Sequence, residues 1–280
     1  EIDPSPLLAF FFPIFFGIIV GDIGYGLSIL VFGLVMKKLF PKIDWWQQLM
    51  DIMIISSIPT IFFGFLYGEF FGDFGEILGI LHPVHIFGIT WNRVEAMIPM
   101  LVISIVIGVI HVFVGLSLGV LNAYMRHQKK HLCEKVGMMG VVSGIILLLL
   151  SLLKVLPSFM MIASAVVLVA CLPLLVYGGG TMGIIEVMST IGNILSYARI
   201  MAIGMASVIL AMVANELGGS VGMVVAGIVV AALLHALNII LAMFSPSLHS
   251  LRLHIVEFYS KFYEGGGIKY RPFGRAKKTD

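Results

Sequence analysis

"IGNILSYARIMAIGMASVILA", residues 191–211, is an apolar run with one charged residue, Arg199, near its middle. A second run, "SPSLHSLRLHIVEFYSKFYEGGG" at 245–267, carries Arg252. Guanidinium keeps its charge at every ordinary pH, so within a low-dielectric layer it needs an acidic partner, a polar cavity or neighbouring protein. The two arginines therefore mark the candidate site, and the rest of the chain has to say what they face.

The 280 residues are 60% hydrophobic and 11% charged, with a mean hydropathy of +1.08. These values exclude a soluble globular domain and argue for an all-α, polytopic membrane protein. The two cysteines, Cys133 and Cys171, provide no disulfide framework. The opening "EIDPSPLL" has neither an initiating Met nor a signal-peptide pattern, and reads as part of something longer.

A spanning helix needs roughly 20 apolar residues. The apolar run 7–40 is too long for one upright span, and "GDIGYG" at 21–26 favours a break, giving helices over 7–20 and 24–40. Further helices are expected at 52–67, 96–124, 136–153 and 157–177, with Trp45 and Trp46 in the headgroup zone. Two longer ones follow at 181–217 and 221–264, the second interrupted by Pro246. At 1.5 Å per residue each exceeds the ~30 Å hydrocarbon core, so both should tilt steeply. The basic segments at 37–42, 126–135 and 269–278 fall on one side of this eight-helix arrangement, which the positive-inside rule makes cytoplasmic, with both termini there. Counting 7–40 as a single span instead would place Glu1 outside.

Projected at 100° per residue, Ser189, Ser196 and Ser207 lie within about 80° of Arg199, with Asn193 and Glu186 at about 120–140°. Most of this stripe lies between the cytoplasmic end and Arg199, where Glu186, Ser189, Asn193 and Ser196 could line a water-filled half-channel. The plainer reading is helix-to-helix hydrogen bonding by small polar residues, which leaves the arginine unexplained. On the last helix Asn238, Ser245 and His249 share the face of Arg252. Glu257, Lys261 and Glu264 read as an interfacial ion-pair network, the first two at i,i+4 spacing.

Other polar groups read more plainly. His111 is expected to contact a neighbouring helix, since no second metal-type ligand lies one turn away. His82 and His85 have too few ligands nearby for zinc. Asp22, Glu69, Asp73 and Glu76 read as an acidic external rim, and Arg93 as an external loop residue. No phosphate loop, nucleophile elbow or His-Glu-x-x-His occurs, so no catalytic residue, metal or cofactor is expected.

Four segments together carry a family resemblance: "FFPIFFGIIVGDIGYG" (11–26), "GFLYGEFFGDFGE" (64–76), "ILSYARIMAIGMAS" (194–207) and "LHSLRLHIVEFYSKFYEGGGIKYRPFG" (248–274). They resemble the membrane half of the a/I subunit of V-type and archaeal A-type rotary ATPases, through nearly the whole chain. The resemblance implies eight transmembrane helices, the first six (1–180) a scaffold and the last two (181–264) an ion path against a proteolipid ring. Residues 265–280 would form a cytoplasmic tail. Arg199 would be the essential stator charge, with Arg252 supporting it from the last helix. A fixed cation favours the ionised form of a passing ring carboxylate, so the ring must release its H+ or Na+ there.

Two positions depart from the family pattern. Ala242 stands where many eukaryotic members have glutamate, and Ser207 where they have histidine. That leaves the external half-channel to be drawn from Ser207, Glu216, His235, Asn238, Ser245 and His249. The family's cytosolic N-terminal arm is absent from this sequence. Implied partners are the ring, a central-stalk collar subunit, the peripheral stalk through that arm, and the lipid bilayer. Nucleic acid is not among them. The implied location is a prokaryotic plasma membrane, or a vacuolar-type endomembrane in a eukaryote. The subunit would be non-catalytic itself. A self-contained secondary transporter or channel is the alternative, although such proteins often carry repeats that are not evident here.

Overall fold

A computed structural model describes residues 2–86, 89–220, 224–263 and 265. These are overwhelmingly helical: α1 Ser5–Val20, α2 Ile23–Leu39, α3 Asp44–Tyr67, α4 Phe74–Ile77, α5 Met97–Met125, α6 Lys129–Leu152, α7 Phe159–Leu195, α8 Ala198–Ser220 and α9 Val224–Arg252. A short antiparallel pair, β1 His85–Ile86 and β2 Ile89–Thr90, lies in the long connection between α3 and α5. Five helical runs among the described residues are long and apolar enough to cross a membrane. α1 is a shorter apolar helix.

The expected break after Val20 occurs, and its cause is local. Gly21 takes a left-handed conformation (φ 45°, ψ 44°) that only glycine adopts without a Cβ penalty. Asp22 then turns extended and caps α2 by accepting from Tyr25 N at 2.9 Å. The same carboxylate accepts from Phe71 N at 3.0 Å and Gly72 N at 2.7 Å, so it also fixes the loop after α3.

Several boundaries depart from the sequence expectation. α3 begins at Asp44 rather than 52, which puts Trp45 and Trp46 in its first turn. α6 begins at Lys129, so most of the basic stretch expected as a loop is helical. The separation expected at "GGGTMG" does occur: within Phe159–Leu195 two helices meet at Gly180, whose φ of 59° and ψ of −144° are not helical, and the run folds back there. A Cβ on Gly183 would lie 3.2 Å from Leu175 Cγ, whereas eight residues of straight helix span about 12 Å. The single helix expected over 181–217 is tightened at Ser196–Tyr197, where Tyr197 N donates to Ile194 O at 3.1 Å and Arg199 N to Ser196 O at 3.2 Å. Pro246 does not interrupt α9. It is buried within it. Beyond Arg252 the helix widens into a π turn over Leu253–Phe258 and then tightens into a 3₁₀ turn over Tyr259–Lys261.

The main core gathers Phe15 and Ile19 of α1, Val112 and Leu116 of α5, Met138 and Val142 of α6, Ile194 of α7, and Leu253. Tyr197 and Ile200 join this core beside Arg199. The helices that carry the candidate site are therefore held by apolar packing on one side. Large apolar side chains of α8 and α9, including Ile209, Val213, Leu233, Leu237 and Phe244, remain exposed on the other.

Candidate functional site

Arg199 follows the Ser196–Tyr197 tightening directly, and its guanidinium meets Glu257 of the π turn, with Nη1 3.6 Å from Oε1. That separation is an ion pair without a hydrogen bond. Glu257 is 2% exposed and Arg199 22%. Among the described residues neither Arg199 Nη1 nor Glu257 Oε2 has a hydrogen-bond partner. Arg252 is exposed, one helical turn before Glu257. Both guanidinium charges act on Glu257 and on the half-buried His249.

Aromatic packing positions this pair from behind. Tyr197 Oη and His111 Nδ1 are 2.6 Å apart, and the His111 ring stacks on Phe258 with centroids 4.0 Å apart. His254 Nδ1 donates to Ser250 O at 2.7 Å. His111 is thus the interhelical contact its sequence context suggested. The expected Glu257–Lys261 network is corrected: the π turn followed by a 3₁₀ turn breaks regular helical spacing. Glu257 turns to Arg199, and Lys261 is buried between other partners. Glu264, the third member expected, lies outside the described residues.

Lys261 leads into the stripe predicted on the first half of the site. Its Nζ donates to Thr190 Oγ1 at 2.9 Å. In the amide orientation that satisfies both groups, Asn193 accepts from the same Nζ at 3.0 Å and donates to Ser189 O at 3.2 Å. Glu186 accepts from Lys135 Nζ of α6 at 2.7 Å. Ser196 donates to Gly192 O at 2.9 Å, and Ser189 is exposed. Glu186 and Asn193 therefore share a lysine-lined region, while Ser189 and Ser196 remain on its outer side. Lys135, Thr190 and Lys261 are the members that the sequence reading missed.

The remaining candidates divide. Asn238 donates to Ser207 O at 2.9 Å and to Tyr25 Oη at 2.8 Å. Ser207 Oγ lies 3.4 Å from Asn238 Oδ1. Asn215 spends its Nδ2 protons on Asp73 and Phe71, so its Oδ1 accepts from His235 Nε2–H; Nδ1 of the neutral ring then accepts from Tyr25 Oη, 2.9 Å away. His235 is then the neutral Nε2–H tautomer, donating to Asn215 Oδ1 at 2.9 Å. Asn215 Nδ2 donates on to Asp73 Oδ1 at 2.7 Å and Phe71 O at 2.9 Å. Every donor from Asn238 onward points the same way, an arrangement in which each bond polarises the next. Glu216 is exposed and, like Ser245 and His249, stands outside this chain of bonds. Tyr25, Asn215 and Asp73 had not been connected with the site.

The "acidic rim" is also corrected. Asp22 and Glu69 are buried, and Arg93, expected in an external loop, is 1% exposed. Arg93 Nε donates to Glu69 Oε1 at 2.9 Å, and Nη2 pairs with Glu69 Oε2. Arg93 Nη1 donates to Ile19 O at 2.8 Å, and Nη2 to Val20 O at 2.9 Å and Gly21 O at 3.2 Å. The guanidinium thereby closes the C-terminal carbonyls of α1, groups that a helix end otherwise leaves unsatisfied. The Tyr67 ring covers it, with Cζ 4.8 Å from the centroid. It also presses on α8, where a Cβ on Gly204 would lie 2.8 Å from Arg93 Nη1. Burial raises the Glu69 carboxyl to about 7 against the pull of this guanidinium. Among the described residues no group of three or more His, Cys, Asp or Glu could hold a metal ion.

Residues 182–275 match the model of the V-type ATPase 116kDa subunit family. Over 99% of its length the chain is 35% identical to the A-type ATP synthase subunit I of Archaeoglobus fulgidus, covering 50% of that protein. It is 32% identical over 98% of its length to the A-type ATP synthase subunit I of Methanocaldococcus jannaschii, covering 45% of it. The V-type ATP synthase subunit I of Borreliella burgdorferi is 28% identical over 99% of the chain and covered to 50%. The chain thus spans about half the length of these relatives.

Proposed function

Because the chain belongs to the subunit I family of A-type and V-type ATP synthases, we propose that it is the ion-path portion of the rotary machine's stator, non-catalytic in itself. The observation that carries this reading is Arg199: a permanent cation, half-buried in an apolar helix pair, whose only ion pair among the described residues is long and lacks a hydrogen bond. A guanidinium left so incompletely satisfied is free to engage a carboxylate on a partner. The natural partner is a proteolipid ring whose ion-binding carboxylates pass along the exposed apolar faces of α8 and α9.

Its electrostatic role follows. Beside Arg199 an arriving carboxylate is favoured as the anion, so H+ or Na+ leaves before passage and reloads after it. Glu186, Asn193, Ser189 and Ser196 form the cytoplasmic half-channel, with Lys135 paired to Glu186 and Lys261 donating to Thr190 and Asn193. The hydrogen-bonded chain from Ser207 through Asn238, Tyr25, His235 and Asn215 to Asp73 forms the external half-channel, taking the place of the acid absent at Ala242. Arg252 is exposed on the face offered to the ring and adds to the field. Eight crossings with both ends cytoplasmic suit these placements. The Asp22–Glu69–Arg93 cluster then lies at the external end, and Lys135 and Lys261 at the cytoplasmic end.

The test is purification of the membrane complex followed by reconstitution. ATP-driven ion uptake is expected from the complex together with a small proteolipid, and no uptake from this chain alone. Ion transport by the isolated chain in liposomes would favour the self-contained transporter instead.

A further inference from the structure

We propose that Glu257 is the resting counter-ion of Arg199, a positioning residue that holds the guanidinium between passages of ring carboxylates and competes with each of them for it. The proposal rests on the stator reading above. It adds the element that decides how tightly the stator charge grips its moving partner.

Three features carry it. Glu257 is 2% exposed yet leaves Oε2 without a hydrogen bond, while its Oε1 stands 3.6 Å from Arg199 Nη1, which is likewise unbonded among the described residues. A carboxylate buried solely to stabilise a fold would be expected to saturate its lone pairs, because each unmet one is costly in a low-dielectric setting. The same chain shows that outcome at Glu69, which accepts from Arg93 with both oxygens.

Second, Glu257 reaches Arg199 through a π turn, Leu253–Phe258, an irregularity that costs regular hydrogen bonding and recurs at functional sites. Third, the groups around the pair are cationic or neutral. Arg199 comes from α8, Arg252 and His249 from α9, His111 from α5, and His254 and Tyr197 stand behind. Among the described residues Glu257 is thus the anion paired with Arg199, and it lies in the field of Arg252 as well.

Removing its charge has a definite consequence. Arg199 loses its competing anion and binds each ring carboxylate more tightly, so reloading that carboxylate requires more of the transported ion. In Glu257→Gln, assembled in the intact membrane complex, the H+ or Na+ concentration giving half-maximal ATP-driven transport should rise about tenfold, the effect of one pKa-unit change in a carboxylate's environment. Maximal transport should fall, and Glu257→Asp should show a smaller shift in ion dependence than Glu257→Gln. A merely structural role would lower the maximal rate and leave the ion dependence unchanged, and that result overturns the proposal, as does wild-type behaviour throughout.

Should Glu257→Gln fail to assemble, Glu257→Asp carries the test. Its shorter reach should raise the half-maximal concentration by about twofold to threefold, a fraction of the full charge effect, and an unchanged value overturns the proposal. Arg199→Ala, measured alongside, separates the two levels. Coupled transport surviving that substitution removes the stator reading and this proposal with it. Loss of transport in Arg199→Ala with unaltered ion dependence in the Glu257 variants removes the counter-ion alone.

Discussion

Arg93 and Arg199 are both arginines set among apolar helices, each facing one buried glutamate, and they differ in how completely that glutamate and its surroundings satisfy them. Arg93 gives two nitrogens to Glu69 and closes three carbonyls at the end of α1, with an aromatic ring over its face. Arg199 has one ion pair at 3.6 Å and an unbonded Nη1. Saturation marks a charge that serves the fold, since every unmet donor there would destabilise it. On the function proposed here, incompleteness marks a charge reserved for a partner that comes and goes.

The largest expected effect on the fold comes from breaking the saturated centre. Arg93→Ala leaves Glu69 buried and unpaired and the α1 carbonyls open, and should cost about 3–5 kcal/mol. Thermal unfolding in detergent and the yield of assembled complex would report it. Replacing both partners at once, Arg93→Met with Glu69→Leu, should recover much of that loss, because an apolar pair has no charge to strand. If the double variant were as unstable as the single one, the carbonyl caps rather than the ion pair would be what Arg93 contributes.

Smaller effects are expected around the open centre and along the relay, with transport as the main readout. Glu186→Leu should slow ATP-driven ion transport several-fold while complex assembly stays normal, and unchanged coupled transport would take Glu186 out of the path. Tyr25→Phe removes the hydroxyl that joins Asn238 to His235. It should cost about 1 kcal/mol in stability, the net worth of a hydrogen bond, with a mild reduction in transport. Full transport in that variant would show that ions bypass the relay.

Legibility in the sequence followed the same division. Arg199 and Arg252 could be singled out directly as candidates, because a permanent charge in an apolar run has few explanations. The same was true of the break at Gly21–Asp22, where turn chemistry is local. Arg93 was hidden because it sits in a polar connection and meets Glu69 and the α1 carbonyls across 24 and more than 70 residues. The relay was hidden for the same reason: Tyr25 and His235 are 210 residues apart, and neither is unusual in its own segment. Glu257 and Lys261 misled because i,i+4 spacing implies a pair only on a regular helix, and the backbone there passes from π to 3₁₀ geometry. Ser207, Asn238 and His235 were named from position and meet in the structure. Glu216, Ser245 and His249 were named on the same grounds and stay outside the hydrogen-bonded chain.

The most direct measurement is ATP-driven ion uptake by vesicles carrying the membrane complex with Arg199→Ala, at subunit composition matched to the wild type. The expected result is an assembled complex without coupled uptake, since nothing then forces the ring carboxylate to give up its ion before it passes. Uptake at the wild-type rate would contradict the assignment of Arg199 as the stator charge.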